Sequence, residues 1–117
     1  MKKAFYLSSC STCLRILKEL NQIDFVLQDL KVNPVTVEQL DHMYAFTSSY
    51  EALFNKRAQK YKSMGLKDKS LSDLDFKNLI LEEYTFLKRP VFLVNDNLFV
   101  GNSKTVITSL KEYLSNE

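Results

Sequence analysis

Short apolar runs and helical periodicities alternate along the chain, and their order predicts its elements. Residues Lys3 to Leu7 are aromatic and apolar and end at the small residues Ser8 and Ser9, which predicts a short buried strand. From Ser11 onward the apolar positions Cys13, Ile16, Leu17 and Leu20 recur at helical spacing. They predict a helix that starts at or near Cys10 and ends at about Asn21. "DFVLQDL", Asp24 to Leu30, then predicts a second strand. Strand, helix and strand in such close succession normally make a parallel pair with a right-handed crossover, so the pattern points to an α/β fold.

The middle of the chain reads as helical. Thr36 with Gln39 forms a capping-box pattern opening a helix from Val37 to Tyr44, and Ser72 with Asp75 forms another opening Leu74 to Tyr84. Gly65, in "KSMGLKD", is placed to stop a helix running from about Tyr50 to Met64 that can break in its middle. Near the end, "RPVFLV" and "NLFV" flank "NDN" as an antiparallel hairpin flanks its turn. Ser103 then caps a last helix through Leu114. No internal repeat, low-complexity segment or linker interrupts the chain. The organisation expected is one domain, residues 1–117, with a helical insertion over about residues 35–85 between two halves of a sheet.

Composition narrows the function classes. A chain of 117 residues can bury a core without staples as a single domain. With 45% hydrophobic and 26% charged residues and a net charge of +2, it is neither disordered nor fibrous, and direct nucleic-acid binding gains no support. No apolar run approaches the ~18 residues of a membrane span, and "MKKAFYLSS" leads into polar residues instead of an apolar signal core. A cytoplasmic monomer is expected. In that reducing compartment a chain with two cysteines is not a disulfide scaffold, so the pair is catalytic, redox-sensing or metal-binding.

Of these, thiol chemistry fits best. A helix N-terminus carries unsatisfied amide donors and about half a positive charge, so a thiolate at Cys10 is stabilised and its pKa falls from ~8.5 toward neutrality. Cys10 is the candidate nucleophile. Cys13, one turn on, lies within the roughly 4.4 to 6.8 Å of Cα separation that a disulfide needs, and is the candidate resolving thiol. The plainer reading makes Cys10 a capping thiol and Cys13 a core thiol. No metal is expected, because zinc needs about four ligands and the chain adds only His42, far along on a helix pattern where a surface or half-buried place suits it. A thiol-phosphatase loop has five residues between its cysteine and arginine, whereas Arg15 follows Cys10 after four. Two further cations are candidates for binding an anion, Arg57 in "LFNKRAQKY" and Arg89 in "LKRPVF". Pro90 can take a cis bond, as ~5% of X–Pro bonds do, and so present backbone beside the cysteine loop.

"CSTC" after a first strand, "ALFNKRAQKYKSMGL", "LKRPVFLV" and "LFVGNSKTV" together resemble, in order and spacing over nearly the whole chain, the group of arsenate reductases (ArsC), YffB and Spx. The resemblance implies a thioredoxin/glutaredoxin-like fold with a four-stranded mixed sheet, an inserted helical subdomain, Cys10 at the head of the first helix and a cis Pro90 beside it. It implies an oxidoreductase acting on a small thiol or oxyanion substrate, with glutathione, glutaredoxin or thioredoxin as reductant and no bound cofactor. Three arginines assist the oxyanion in glutathione-linked arsenate reductases. Arg89 matches one, Asn55 occupies the place of another, and the third falls near Gly101, where no arginine stands. Arg57, two residues after Asn55, resembles an arginine kept by the YffB-like reductases and Spx. Resemblance to Spx also implies a redox-sensing regulator that binds the RNA polymerase α subunit. In Spx that surface includes a glycine, and its place here is taken by Ser49.

Overall fold

A computed structural model describes residues 2–20 and 24–116, so the expected helix end at Asn21 lies outside the described residues. Four strands, β1 (Lys2–Tyr6), β2 (Val26–Asp29), β3 (Val91–Val94) and β4 (Asn97–Val100), form one sheet in the order β2-β1-β3-β4. The central strand β1 runs parallel to β2, with Lys3 opposite Val26, and antiparallel to β3, with Ala4 opposite Phe92. The parallel pair and the hairpin are thus halves of a single mixed sheet.

Helices α1 (Ser11–Leu20) and α5 (Lys104–Ser115) cover one face of that sheet. Ile16 and Leu20 of α1 and Ile107 and Leu110 of α5 pack with Ala4, Phe25, Phe92 and Val94 into one buried cluster. The edge of the Phe25 ring meets Phe92 at 5.5 Å between centroids. A Lys111–Glu19 ion pair of 2.9 Å links the two helices at the surface.

Several boundaries move by a residue or two, each for a local reason. β1 stops at Tyr6 because the next carbonyl, that of Leu7, accepts the Cys10 amide at 3.0 Å and turns the chain. β2 is shorter than Asp24–Leu30 because the Asp29 carbonyl accepts the Val32 and Asn33 amides. The hairpin pairs Val94 with Asn97, which leaves Asn95 and Asp96 as the turn. Asn95 takes the left-handed conformation there, φ 55°, which asparagine tolerates better than most residues.

The chain folds as two units, one made of the residues through Asn33 and from Arg89 onward, the other of Pro34–Lys88. In the second, α2 (Val37–Thr47) and α4 (Asp73–Glu82) each begin with a complete capping box, Thr36 with Gln39 and Ser72 with Asp75. α2 runs three residues past Tyr44 and ends on Ser48 in the left-handed conformation. The helix expected from Tyr50 to Met64 is instead a 3-10 turn, Glu51–Leu53, and a short α3, Gln59–Ser63. Between them Phe54 is extended and bridges to Leu87, and the Asn55 amide donates to the Phe86 carbonyl at 2.7 Å. Gly65 then stops α3 with φ 65°.

Phe54 anchors this unit. Its ring lies 4.9 Å from Phe76, 4.8 Å from Phe86 and 5.7 Å from Tyr61, and it is 1% exposed. Truncation to Phe54→Ala removes a ring and leaves a cavity among three others, so a loss of about 3–5 kcal/mol is expected. Urea denaturation followed by circular dichroism measures it, and a loss below about 1 kcal/mol would show that the cluster closes around the gap.

Candidate thiol site

Both cysteines are unbridged and belong to the first unit. Leu7 closes a turn onto Cys10, and the Cys10 carbonyl then accepts the Leu14 amide at 3.1 Å, the first hydrogen bond of α1. Cys10 is therefore the residue that caps α1. Its Sγ accepts the Cys13 amide at 3.4 Å, the bond that a serine or aspartate side chain makes at other helix starts. One turn along, Cys13 is fully buried with Ile16 and Leu20 on the inward side of α1.

The two thiols have opposite electrostatics. Partial burial raises the pKa of Cys10, but hydrogen bonds from the Cys13 backbone and side chain, the Arg89 charge and the Thr12 amide outweigh it and leave the pKa below the usual thiol value. For Cys13, burial dominates. Together with the hydrogen bond to Cys10 and the repulsion of its charge, burial pushes the thiol up to about 12, against opposing contributions from the Leu7 backbone and Arg89. One group is inclined to be thiolate and the other stays protonated.

Arg89 and Pro90 stand in the same unit at the start of β3, joined by a cis peptide bond. The following loop fastens this corner: the Gly101 amide donates to the Pro90 carbonyl at 2.9 Å, and Asn102 Nδ2 donates to the Arg89 carbonyl at 3.4 Å. Gly101 has φ 90°, a conformation that strains any residue with a side chain. An arginine at that position would carry this strain.

Asn55 and Arg57 belong to the other unit. Asn55 Oδ1 accepts the Arg57 amide at 3.0 Å and its Nδ2 donates to the Thr85 carbonyl at 3.4 Å, so the side chain is engaged at one end by its own turn and at the other by the segment before Phe86. Arg57 is exposed. Ser49 is half-buried in the turn after α2, where its Oγ accepts the Ala52 amide. His42 lies exposed on α2 with its ring 5.5 Å from that of Phe46. Among the described residues no three His, Cys, Asp or Glu side chains come together as a metal site requires, and no helix is long and apolar enough to cross a membrane.

Two groups reach this corner without having been singled out from the sequence, Asn102 and Asp29, whose carboxylate bonds Ser8 in the turn before Cys10. For Asp29 a signal existed. Aspartate is depleted in strands, and it is the charged residue in the run "FVLQDL".

Comparison with known proteins places the chain. A family model described as the ArsC family matches residues 5–110. The global transcriptional regulator Spx 2 of Bacillus anthracis is 27% identical over 97 residues, which cover 80% of this chain and 74% of that protein. Among solved structures, a possible arsenate reductase from Streptococcus mutans is 28% identical with a TM-score of 0.72, covering 94% of this chain and 97% of its own. Arsenate reductase from Vibrio cholerae is 19% identical with a TM-score of 0.76, covering 94% and 95%. The shared architecture is thioredoxin-like, a mixed four-stranded sheet with helices. With the match running from within β1 into α5, across the thiol pair, the hairpin and everything between, the chain belongs to the ArsC family.

Proposed function

We propose that this protein is a thiol oxidoreductase in which Cys10 is the nucleophile and Cys13, or glutathione, resolves the intermediate. The observation that carries the reading is the position of Cys10 Sγ as the cap of α1, accepting an amide of the first turn with the Arg89 charge acting on it. A thiolate is the nucleophile in thiol–disulfide exchange, and such an environment supplies one.

In the first step the Cys10 thiolate attacks one sulfur of an oxidised thiol substrate, forming a mixed disulfide and releasing the other sulfur as a thiolate that takes up a proton. Cys13 then gives up its proton and attacks Cys10 Sγ, so the second substrate thiol leaves and a Cys10–Cys13 disulfide remains. Two electrons have passed to the substrate. Glutathione, glutaredoxin or thioredoxin in a reducing compartment would return them. The high pKa of Cys13 suits its order in this sequence, because it stays a thiol until the mixed disulfide exists and the negative charge on Cys10 is gone. Arg89 attracts an anionic substrate to the sulfur.

The pH profile of iodoacetamide alkylation in Cys13→Ser tests the nucleophile. A midpoint below the ~8.5 of ordinary cysteine is expected for Cys10, since its thiolate is the favoured form and reactivity is lost as pH falls through the lowered pKa. A midpoint at or above that value removes the assignment.

As an oxyanion substrate, arsenate is expected to be poor. A multiply charged anion leaving water needs several charge-assisted hydrogen bonds, each contributing on the order of 1.5 to 3 kcal/mol, and two of the three resembled arginine positions are Asn55 and Gly101. With glutathione and glutaredoxin, the purified protein should reduce arsenate slowly or not at all, while Cys13→Ser accumulates a glutathione mixed disulfide on Cys10. Turnover of about 1 to 1,000 per second, abolished by Cys10→Ser and Arg89→Ala, would show that Arg89 suffices.

The likeness to Spx 2 favours a second reading, a redox switch whose Cys10–Cys13 disulfide alters binding to the RNA polymerase α subunit. Immobilised oxidised and reduced protein, presented with purified α subunit, separates the two. Binding that changes at least tenfold between the states supports the switch, and equal or absent binding removes it.

A further inference from the structure

The turn that ends at Cys10 is tied to a strand on the edge of the sheet. Asp29, the last residue of β2 and opposite Tyr6 in register, places both carboxylate oxygens on one residue of that turn. Oδ1 accepts the Ser8 amide at 3.3 Å and Oδ2 accepts the Ser8 hydroxyl at 2.6 Å. The carboxylate is itself held, because Oδ1 also accepts the Lys31 amide at 3.2 Å while the Asp29 carbonyl takes the amides of Val32 and Asn33. Ser8 lies inside the turn that Leu7 and Cys10 close, and the two residues at its ends both meet the thiols: Cys10 carries one, and the Leu7 backbone bonds the other.

We propose that Asp29 is a positioning residue for Cys10, acting through Ser8 on the turn that sets the sulfur against the first amides of α1. This deepens the oxidoreductase reading above and rests on it. A carboxylate gripping a single residue at two points fixes that residue's rotation as well as its place, and sulfur-to-amide geometry at a cap is sensitive to both. The Asp29 carboxyl is held below the usual range, first by the Ser8 hydroxyl, so the clamp is charged throughout the neutral range in which thiol exchange runs.

Two trivial roles make different predictions from positioning. A purely structural tie would change thermal stability and leave the thiol alone. A simple field effect would lower the Cys10 midpoint when Asp29 is removed, because deleting a negative charge favours the thiolate. Positioning raises it, because a looser turn weakens the amide-to-sulfur bonds that favour the charged form. The sign of the shift therefore decides.

The experiment is a titration of thiolate ultraviolet absorbance against pH in the Cys13→Ser background, with circular dichroism confirming the native fold of each variant. Asp29→Ala is expected to raise the Cys10 midpoint by about half a unit, roughly threefold less thiolate on the acid side. Ser8→Ala should raise it by less, since the Ser8 amide still reaches Oδ1. The double variant should match Asp29→Ala alone, because both changes act through one contact. An unchanged or lowered midpoint in Asp29→Ala overturns the proposal, and should that variant misfold, the same outcome in Ser8→Ala does so. If the midpoint is low before either change and insensitive to both, only the positioning role falls. An ordinary midpoint before either change removes the nucleophile and its positioning together.

Discussion

The central strand of the sheet must end and the first helix must begin within the few residues from Leu7 to Cys10, and the chemistry of the protein depends on how that is done. The Leu7 carbonyl closes the turn, the Cys10 carbonyl opens the helical ladder, and Cys10 Sγ takes an amide that the helix leaves unpaired. A thiol is a weak acceptor and a thiolate a strong one. Capping by sulfur therefore couples helix formation to ionisation: whatever stabilises the start of α1 also favours the charged form of Cys10. The cap and part of the pKa depression are one interaction seen from two sides, to which the Cys13 side chain and the Arg89 charge add.

The spacing of the second cysteine makes the pair asymmetric. Three residues along a helix lead from the capping position to the inward face, where Cys13 sits with Ile16 and Leu20. Burial there opposes ionisation by more than the Leu7 backbone and Arg89 favour it, and Cys10 adds its own repulsion. The same helix thus carries one thiol inclined to ionise and one held protonated. Arg89 comes from the far end of the chain, brought in because β3 pairs antiparallel with β1 and so begins where β1 ends. Gly101 and Asn102 fix that corner through backbone carbonyls, and the Arg89 charge acts on both sulfurs.

What could be read in advance was what local chemistry dictates. Both capping boxes and the turn between β3 and β4 appear where their residues announced them, because Thr36, Ser72 and Asn95 form hydrogen bonds or backbone conformations set within a few positions. The segment from Tyr50 to Met64 misled for the opposite reason. Leu53, Phe54, Ala58 and Tyr61 recur at helical spacing, and the first three are buried. Yet Phe54 is extended to bridge Leu87, and the Asn55 side chain bonds the Arg57 amide in place of a helical partner. Long-range pairing overrode the periodicity. Cys10 and Cys13 were legible by motif; the Asp29–Ser8 contact joins residues 21 positions apart, and no spacing rule reaches that far.

Magnitudes weigh the enzymatic and regulatory readings against each other. Oxidation to a Cys10–Cys13 disulfide removes the thiolate from the start of α1, and a lost cap is worth about 0.5–2 kcal/mol. Converted at 1.4 kcal/mol per factor of ten, that changes an equilibrium by at most about thirtyfold. Moving a two-state element from nearly all off to nearly all on needs about 5.5 kcal/mol. Loosening of α1 therefore falls well short of a complete conformational switch, and neither the cluster in which Ile16 and Leu20 meet the sheet nor the Lys111–Glu19 tie to α5 includes a cysteine. Catalysis has no such requirement, since it needs only the difference in pKa between two thiols one turn apart. A regulatory partner, to sense the bridge strongly, must touch the thiols or the exposed residues beside them, among which Leu14 is 46% exposed. The proposed oxidoreductase reading thus asks less of the helix than the proposed regulatory one, which would place a redox-sensing contact at the face of α1 that carries Cys10.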